Sequence, residues 1–528
     1  MKVRKPASRA GCRVRRPRIW LAAASVAFLL VLASPWRPAG SSDGAAVFRT
    51  AASLAFEGTF VLPKAPPGAS IDPFYFPPSP DGSGVVSIYA PFGPLLGAAL
   101  LLTASMAPTP ALAGALADGL ASAAPIFATA LAVFPFARLL RQGGARKASA
   151  PWLAAALVLA TFLGPLGVSD LQEPWLVLFV ALALDGALIS RLLRGGRRDS
   201  ALALAGLALS AAFLTKPTAA GIVPALALAA FFPRAGENGS RGLLALSLAA
   251  VPGVAIALAL NAARFGGVLE AGYAAPLAHP LARAVSPVWT ILRLTLLPNR
   301  GLLWYAPLLL LVPLVMPGLL RGRRRVVAVS AALGFGAFFA ANVAWFAWEG
   351  GLGWGPRLLA PAVACAAPLL AARGAALRIA AVLALLGAAV NLPAYLLEPG
   401  RFYRVVATKP DAEALGPVVP IHRAAGGEGR LFPEQKMHYV PKLAPVFIGP
   451  EVLARLLKDG DGPSAGASGA SRTRDAAVLQ LVLGQPRGEG SETGRLLQSE
   501  ARATVGSDPE RAARMARRAA EFGASSPW

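Results

Sequence analysis

The sequence predicts an all-α membrane protein that crosses the bilayer about eleven times. Its hydrophobic fraction is 55%, charged residues make up only 15%, and the mean hydropathy is +0.56. Apolar runs long enough for a membrane span recur along the chain, which is typical of a polytopic membrane protein. The two cysteines, Cys12 and Cys365, lie far apart and show no ligand-like spacing. They therefore indicate neither a disulfide framework nor a metal cluster.

The expected spans run from residue 19 to residue 397. The first apolar run lacks a clear cleavage site before Pro35, so we interpret it as an uncleaved span and not as a signal peptide. The stretch from Gly93 to Met106 is apolar but covers about half a bilayer, which indicates a re-entrant or interfacial helix and leaves a twelve-span alternative. The eleven expected spans are residues 19–38, 111–138, 150–167, 174–193, 200–214, 219–233, 242–262, 302–319, 326–347, 358–372 and 379–397.

The positive charge predicts the orientation. The net charge is +24, and residues 1–18 hold eight Lys or Arg and no acid. The loops assigned to the same side are rich in Lys and Arg and contain only Asp199 and Glu237 among acids. The positive-inside rule then places the N-terminus in the cytoplasm and residues 398–528 on the outer side of the membrane. The surplus charge thus reflects orientation and contact with the inner leaflet, not nucleic-acid binding.

The chain divides into a basic N-terminus (1–18), a transmembrane domain (19–397) and a periplasmic C-terminal region (398–528). The first periplasmic loop, residues 39–110, is too polar and too rich in proline to be a span. Loops of this length are usually functional or disordered. In the C-terminal region, residues 460–471 are rich in Gly, Ser and Ala and read as a linker, and residues 508–522 are predicted to form a helix.

One hypothesis for the outer face is the transfer of a sugar from a lipid phosphate. Such a reaction needs a carboxylate that takes the acceptor proton and cations that stabilise the leaving phosphate. Asp43 is the candidate base, because it follows the first span in a flexible Ser-Ser-Asp-Gly context. The alternative is that Asp43 caps a helix predicted from Ala45 to Phe56, since Asp is a common N-cap residue.

Four outer-side cations are candidates for holding the phosphate. Lys216 interrupts an apolar run before Pro217, and the alternative is a boundary lysine that snorkels to the interface. Arg264, Arg300 and Arg357 begin or end outer loops beside aromatic residues. The planar guanidinium suits a phosphate, although an interface anchor is the plainer interpretation of each arginine.

Two acids and the three histidines complete the set of polar candidates. Glu173 flanks an outer boundary as a site residue, but Glu173-Pro174 is also a natural helix start. Asp81 lies in a turn rich in Pro, Gly and Ser, where aspartate is an ordinary turn former. The histidines show no ligand spacing, so we predict no metal site and no cofactor, and a divalent metal stays open.

Together these residues resemble the GT-C superfamily of membrane glycosyltransferases, which use polyprenyl-phosphate sugars. The nearest branch is that of bacterial protein O-mannosyltransferases and the lipid A aminoarabinose transferase, and the similarity covers residues 19–397. The matching motifs, in chain order, are Ser42-Asp43, Ala52-Ser53-Leu54 with Gly58, Asp81-Gly82, Ser87 to Leu96 around Tyr89, Glu173-Pro174, Leu214 to Pro217, Asn261 to Gly266, Asn299 to Pro307, and Gly353 to Arg357.

The resemblance implies a bacterial inner-membrane protein whose outer side is the periplasm. It also implies an inverting transfer at the periplasmic face, with Asp43 as base and outer Lys and Arg residues on the lipid phosphate. It adds Tyr89 and Asp81 to the substrate-binding candidates. Two departures leave the donor and the activity open: Gly44 follows Asp43 where the mannosyltransferases have Asp-Glu, and Phe92 is unusual in the Tyr-x-Pro-x turn.

The hypothesis is therefore a hexosyl- or pentosyltransferase that acts on a lipid, glycan or protein acceptor. The alternatives are a transporter or flippase of a lipid-linked intermediate, and a non-catalytic scaffold with the same fold. Transporters often contain internal repeats and broken helices. No repeat is visible and the candidate charges lie at one face, which favours the enzyme. The enzyme hypothesis predicts that Asp43, Lys216 and Arg357 share one pocket at the outer surface.

Overall fold

The computed structural model describes most of the transmembrane part of the chain. It covers residues 17–33, 42–62, 76–232, 239–270, 287–322, 324–345 and 353–396, with residues 272, 350, 444, 513, 514, 516 and 517. The basic start of the N-terminus and the predicted linker at 460–471 lie outside the described residues. Within the predicted helix at 508–522, residues 513, 514, 516 and 517 are helical.

The described chain is almost entirely helical, which confirms the predicted fold class. A two-stranded antiparallel hairpin, β1 (Val61–Leu62) and β2 (Val85–Val86), lies in the first loop, where Val61 pairs with Val86. The α-helices, in order, are α1 (Pro17–Ala33), α2 (Ser42–Glu57), α3 (Phe92–Ser105), α4 (Pro110–Gly143), α5 (Ala150–Leu159), α6 (Leu163–Ser169), α7 (Glu173–Ser190), α8 (Gly196–Thr215), α9 (Val223–Phe231), α10 (Gly239–Phe265), α11 (Pro287–Thr295), α12 (Leu302–Tyr305), α13 (Val312–Leu320), α14 (Arg325–Val343), α15 (Ala360–Ala366) and α16 (Ala375–Leu396). Short 3-10 segments at Pro217–Ile222, Pro307–Leu311, Arg357–Leu359 and Ala367–Leu370 adjoin α9, α13 and α15.

In the described chain, six helices are long and apolar enough to cross a membrane: α4, α7, α8, α10, α14 and α16. The pair α5 and α6, bent by 60°, adds a seventh candidate. Shorter apolar helical segments occupy Pro17–Ala33, Phe92–Ser105, Pro217–Phe231, Pro307–Leu320 and Arg357–Leu370. Each of the eleven expected spans thus coincides with a helix or with two or three adjoining helical segments. The number of segments that cross the bilayer remains a prediction.

The helix ends follow local sequence signals. At the start of α4, the Thr109 side chain accepts a hydrogen bond from the Leu112 N–H, and Pro110 occupies the first turn. The helix ends at Gly144, whose φ of 111° is left-handed. Glycine adopts that conformation without a steric penalty, which makes it the common C-terminal stop. Pro125 and Pro135 lie inside α4 without ending it.

Small residues let the helices approach closely. A Cβ at Gly206 of α8 would clash with the Leu246 carbonyl of α10, and a Cβ at Gly253 of α10 would lie 2.6 Å from the Ser210 Cα. Small residues at such crossings are the usual means by which membrane helices associate. Within the main bundle, Asp185 of α7 pairs with Arg138 Nε at 2.9 Å, which assigns a partner to an acid inside a predicted span.

A second hydrophobic cluster joins α2, α3 and the first half of α4. Phe48, Ala51, Leu101 and Ala117 are buried in it. The apolar half-span expected at Gly93 to Met106 is α3, a helix of 14 residues packed between α2 and α4. The first loop therefore forms a helical layer on the bundle.

Candidate functional site

Two ion pairs lie together where several helices end. Lys216 Nζ contacts Glu173 Oε1, and Arg357 Nη1 lies 3.3 Å from Asp170 Oδ2. The side chains of Glu173, Asp170 and Arg357 are 5%, 11% and 10% exposed, whereas that of Lys216 is 28% exposed. Glu173 is also within electrostatic range of Asp170 and Arg357, so the four side chains form one group, the ion-pair cluster. It brings together three residues predicted from the sequence and adds Asp170.

The start of α7 positions both carboxylates. Asp170 Oδ1 accepts hydrogen bonds from the backbone N–H groups of Gln172, at 2.8 Å, and Glu173, at 2.9 Å. Pro174 occupies the first turn, where its missing N–H costs nothing. Asp170 thus uses one oxygen to cap the helix and offers the other to Arg357. Glu173 begins α7, as the helix-start interpretation expected, and also pairs with Lys216.

Lys216 is fixed by the proline that follows it. Its backbone is extended, with φ −162° and ψ 126°, because a residue before proline avoids the helical region. It therefore ends α8 and turns toward α7. At the other end of α8, Asp199 pairs with Arg241 Nε at 3.0 Å, and the Arg241 side chain is 73% exposed. The two ends of this helix thus carry a buried and an exposed ion pair.

Arg300 holds the loop that precedes Arg357. Its Nη1 donates to the carbonyls of Gly353 and Gly355, and the residue is buried. A Cβ at Gly353 would clash with the Arg357 side chain, and Gly355 has a left-handed φ of 59°. Two glycines are therefore required for the loop to wrap the Arg357 side chain. Arg300 therefore binds the main chain of this loop, and the loop in turn positions Arg357 in the ion-pair cluster.

Arg264 binds the main chain of the first loop in the same way. The buried guanidinium donates to the carbonyls of Ser87 and Tyr89, at 2.7 Å for Tyr89, and its carbon lies 4.7 Å from the ring centroid of Phe265. Cations at such distances over aromatic rings are attracted by the ring quadrupole. Tyr89 therefore meets Arg264 through its backbone carbonyl, and α10 is tied to the turn after β2.

Gln172 connects the Tyr89 turn of the first loop with the ion-pair cluster. Its Nε2 donates to the Ala90 carbonyl at 3.5 Å, and a Cβ at Gly93 would clash with its amide. Gln172 lies between Asp170 and Glu173 in the chain. A continuous set of contacts therefore joins the Tyr89 turn to the ion-pair cluster and, through Arg357, to the loop held by Arg300.

Asp43 lies in the first turn of α2. This helix begins three residues earlier than the predicted Ala45, so Asp43 is inside the helix and not before it. The Asp43 side chain lies outside the described residues. One turn later, Ala46 belongs to a small buried cluster with Leu62 and Phe76, against which Tyr89 packs. The start of α2 is therefore adjacent to the turn that Arg264 holds, and the role of Asp43 stays a prediction.

Asp81 occupies an exposed turn in the loop between β1 and β2. Its Oδ1 accepts hydrogen bonds from Ser79 Oγ at 2.7 Å, from Ser83 Oγ at 2.8 Å and from the Ser83 N–H at 3.1 Å. The bonds from Ser79 and Ser83 lower the pKa of Asp81 to about 2. This geometry matches the turn-forming interpretation, while substrate binding by Asp81 stays a prediction.

Sequence reasoning missed two contributors to this region. Gln172 carries no charge, and Asp170 lies at the same outer boundary as Glu173, three residues before it. The available signal was Asp170 placed before a Glu-Pro helix start, which is a capping pattern. In the described part of the chain, no group of three or more His, Cys, Asp and Glu residues is placed to hold a metal ion. The question of a divalent metal stays open.

The helices and the ion-pair cluster define the class: a multi-pass helical membrane protein with a charged site where α6, α7, α8 and the segment before α15 meet. No family model and no curated protein matches the chain.

Two solved structures are similar in fold. The archaeal oligosaccharyltransferase AglB from Archaeoglobus fulgidus, in complex with an inhibitory peptide and a dolichol-phosphate, is 15% identical with a TM-score of 0.44; the match covers 76% of this chain and 59% of AglB. ArnT from Cupriavidus metallidurans, bound to undecaprenyl phosphate, is 14% identical with a TM-score of 0.44, over 94% of this chain and 89% of ArnT.

The chain thus spans 59% of the length of AglB and nearly all of ArnT. Both matches are weak likenesses of fold, with identities of 14–15% and TM-scores of 0.44.

Proposed function

We propose that this protein is an integral membrane glycosyltransferase that moves a sugar from a polyprenyl-phosphate donor to an acceptor at the periplasmic face. One observation carries this assignment: Lys216 and Arg357, predicted separately as phosphate ligands, lie in one partly buried group with Glu173 and Asp170. Ionisable side chains buried among membrane helices are costly and mark functional sites by default.

Lys216 is the cation that is best placed to meet a lipid phosphate. It is the most exposed member of the ion-pair cluster, with 28% of its side chain accessible. An ammonium group has three donors, and the contact with Glu173 Oε1 uses one of them. The remaining donors are available to a phosphate oxygen while Glu173 keeps the side chain oriented. Arg357 supplies a second positive charge behind it.

The reaction we propose is a single inverting displacement. The acceptor oxygen attacks the anomeric carbon, the bond from that carbon to the phosphate oxygen breaks, and the polyprenyl phosphate leaves with the electron pair. The acceptor proton passes to the carboxylate of Asp43. Lys216 and Arg357 stabilise the charge that develops on the leaving phosphate. The acceptor is a lipid, a glycan or a protein, and residues 398–528 are the proposed periplasmic region.

The test compares two ends of one helix. Lys216→Met removes the proposed phosphate ligand, and Arg241→Met removes a cation from the exposed pair at the opposite end of α8. Full-length variants in lipid nanodiscs are tested for binding of undecaprenyl phosphate and for transfer from radiolabelled undecaprenyl-phosphate sugars. We expect Lys216→Met to lose both activities and Arg241→Met to keep both. Equal behaviour of the two variants would refute Lys216 as the phosphate ligand.

Transport is separated from transfer by the product. A transferase gives labelled acceptor and free undecaprenyl phosphate, whereas a flippase moves the intact sugar-lipid between leaflets of a vesicle. Movement of the intact lipid without any transfer by the wild-type protein would exclude the enzyme in favour of the transporter.

A further inference from the structure

Asn342 is a buried side-chain amide without a hydrogen-bond partner among the described residues. It lies in the last turn of α14 and is 5% exposed, and neither its Nδ2 nor its Oδ1 has a hydrogen-bond partner in the described structure. Buried polar side chains almost always have partners, and an exception calls for an explanation such as a missing ligand. The reaction proposed above does not involve Asn342.

The packing of α14 shows where Asn342 lies. A Cβ at Gly334 would lie 3.5 Å from the Ala225 Cβ, and the ring of Phe338 lies 3.3 Å from the Cβ position of Gly221. A step of four residues forward on α14, from Gly334 to Phe338, therefore corresponds to a step of four residues backward on the neighbouring segment, from Ala225 to Gly221. The same step taken once more leads from Phe338 to Asn342 and from Gly221 to Pro217. Asn342 is therefore level with the start of the 3-10 segment Pro217–Ile222, which directly follows Lys216.

The other neighbour of α14 gives the same level. A Cβ at Gly334 would also lie 2.8 Å from Cys365 Sγ, and the segment before Cys365 runs back through α15 to Arg357. Helix α14 is in contact with both the Pro217–Ile222 segment and the Arg357–Leu359 segment. Asn342 thus lies at the depth of the ion-pair cluster, on a third wall beside Lys216 and Arg357.

The ion-pair cluster itself also contains an unsatisfied atom. Glu173 Oε2 is buried and has no hydrogen-bond partner in the described structure, while Oε1 is used by Lys216. A phosphate offers acceptors only, and so it would leave both Glu173 Oε2 and Asn342 Oδ1 without donors. A sugar hydroxyl both donates and accepts, as does the amide of Asn342. The two unsatisfied groups are therefore complementary to hydroxyls and not to phosphate.

We infer that Asn342 binds a hydroxyl of the donor sugar and contributes to sugar selection, which rests on the proposed function. A site built to hydrogen-bond a hydroxyl discriminates strongly against ligands that lack it, because the buried polar group is then left unpaired. Asn342 is in this view a binding residue for the sugar, next to the cations that bind the phosphate of the same lipid.

The experiment separates the sugar from the phosphate. Full-length wild type, Asn342→Leu and Ser330→Ala are compared in nanodiscs for binding of undecaprenyl phosphate and of the undecaprenyl-phosphate sugar that wild type prefers in a panel. Ser330 is the matched control, because its hydroxyl is likewise buried and unpartnered on α14, three turns before Asn342. Leucine matches asparagine in size and removes both polar atoms.

We expect Asn342→Leu to bind undecaprenyl phosphate like wild type and to bind the sugar-lipid roughly tenfold more weakly, the loss of about one hydrogen bond. Ser330→Ala should match wild type with both lipids. An unchanged preference for the sugar-lipid in Asn342→Leu would overturn the inference and leave the proposed function standing, and equal weakening toward both lipids would also overturn it. A wild-type protein that binds neither lipid refutes the proposed function itself. Asn342→Gln, which keeps the amide, checks that a loss follows the chemistry and not the fold.

Discussion

Removal of Lys216 should destabilise the protein more than removal of a typical surface charge. The Glu173 side chain is 5% exposed, so Lys216→Met leaves a buried carboxylate without its contact partner. Breaking a buried pair costs about 3–5 kcal/mol, and the 28% exposure of Lys216 together with the nearby Arg357 reduces our expectation to about 2 kcal/mol. The exposed pair at the other end of α8 gives the reference: Arg241→Met should cost about 0–1 kcal/mol.

The double variant tests the cause of that loss. Lys216→Met combined with Glu173→Leu replaces the pair by apolar groups, a change that is often close to neutral in stability. We therefore expect the double variant to unfold at a higher temperature than Lys216→Met alone, although it should no longer bind undecaprenyl phosphate. The measurements are thermal unfolding in detergent and lipid binding in nanodiscs. A double variant no more stable than Lys216→Met, or an equal effect of Arg241→Met, would refute the buried-pair reasoning.

Three further predictions concern the base, the glycine loop and the unpartnered amide. Asp43→Asn should lower the transfer rate by about 10²–10⁴-fold and keep undecaprenyl phosphate binding, as removal of a general base requires; full transfer activity would exclude Asp43. Gly353→Ala should destabilise by about 1–3 kcal/mol, since its Cβ meets the Arg357 side chain. Gly119→Ala, with open space around it, is the control, and equal unfolding temperatures would contradict the clash. Asn342→Leu should raise the unfolding free energy of the lipid-free protein by about 1 kcal/mol, because an unsatisfied buried amide is lost; a lower unfolding temperature would indicate an unseen partner.

Much of the site was within reach of the sequence because charge is rare in apolar segments. Lys216 and Glu173 stand out at the edges of spans, and a charge there needs a partner or a ligand. Which charge meets which is a matter of tertiary register, and no local pattern contains it. The pairing of Arg357 with Asp170, and of Arg300 with two loop carbonyls, became visible only in the folded chain.

Asn342 shows a different limit of prediction from the sequence. It carries no charge and ends an otherwise apolar helix, so its sequence context gives no signal. Its interest comes from its surroundings: it is buried, and its amide has no hydrogen-bond partner among the described residues. Such information exists only after helices are packed against each other, because burial is a property of the assembled bundle and not of the segment.

The positions of the helices were predictable from the sequence, whereas the points at which a helix breaks were not. The span expected at 150–167 is bent by 60° between α5 and α6, where the Phe162 N–H donates to the Tyr305 carbonyl at 3.1 Å. Gly164-Pro165 follows directly and resembles a breaking signal. Yet Pro125 and Pro135 leave α4 continuous. A proline alone therefore does not decide the outcome, which depends on whether another segment satisfies the freed backbone groups.

The arginines that frame the site bind main-chain oxygens. Arg264 is attached to the carbonyls of Ser87 and Tyr89, and Arg300 to those of Gly353 and Gly355. Every residue type has a carbonyl, so a mutation that changes the Ser87 or Tyr89 side chain leaves this attachment in place. Evolution can thus alter the side chains at positions 87 and 89 while the attachment of the first loop to α10 is inherited unchanged.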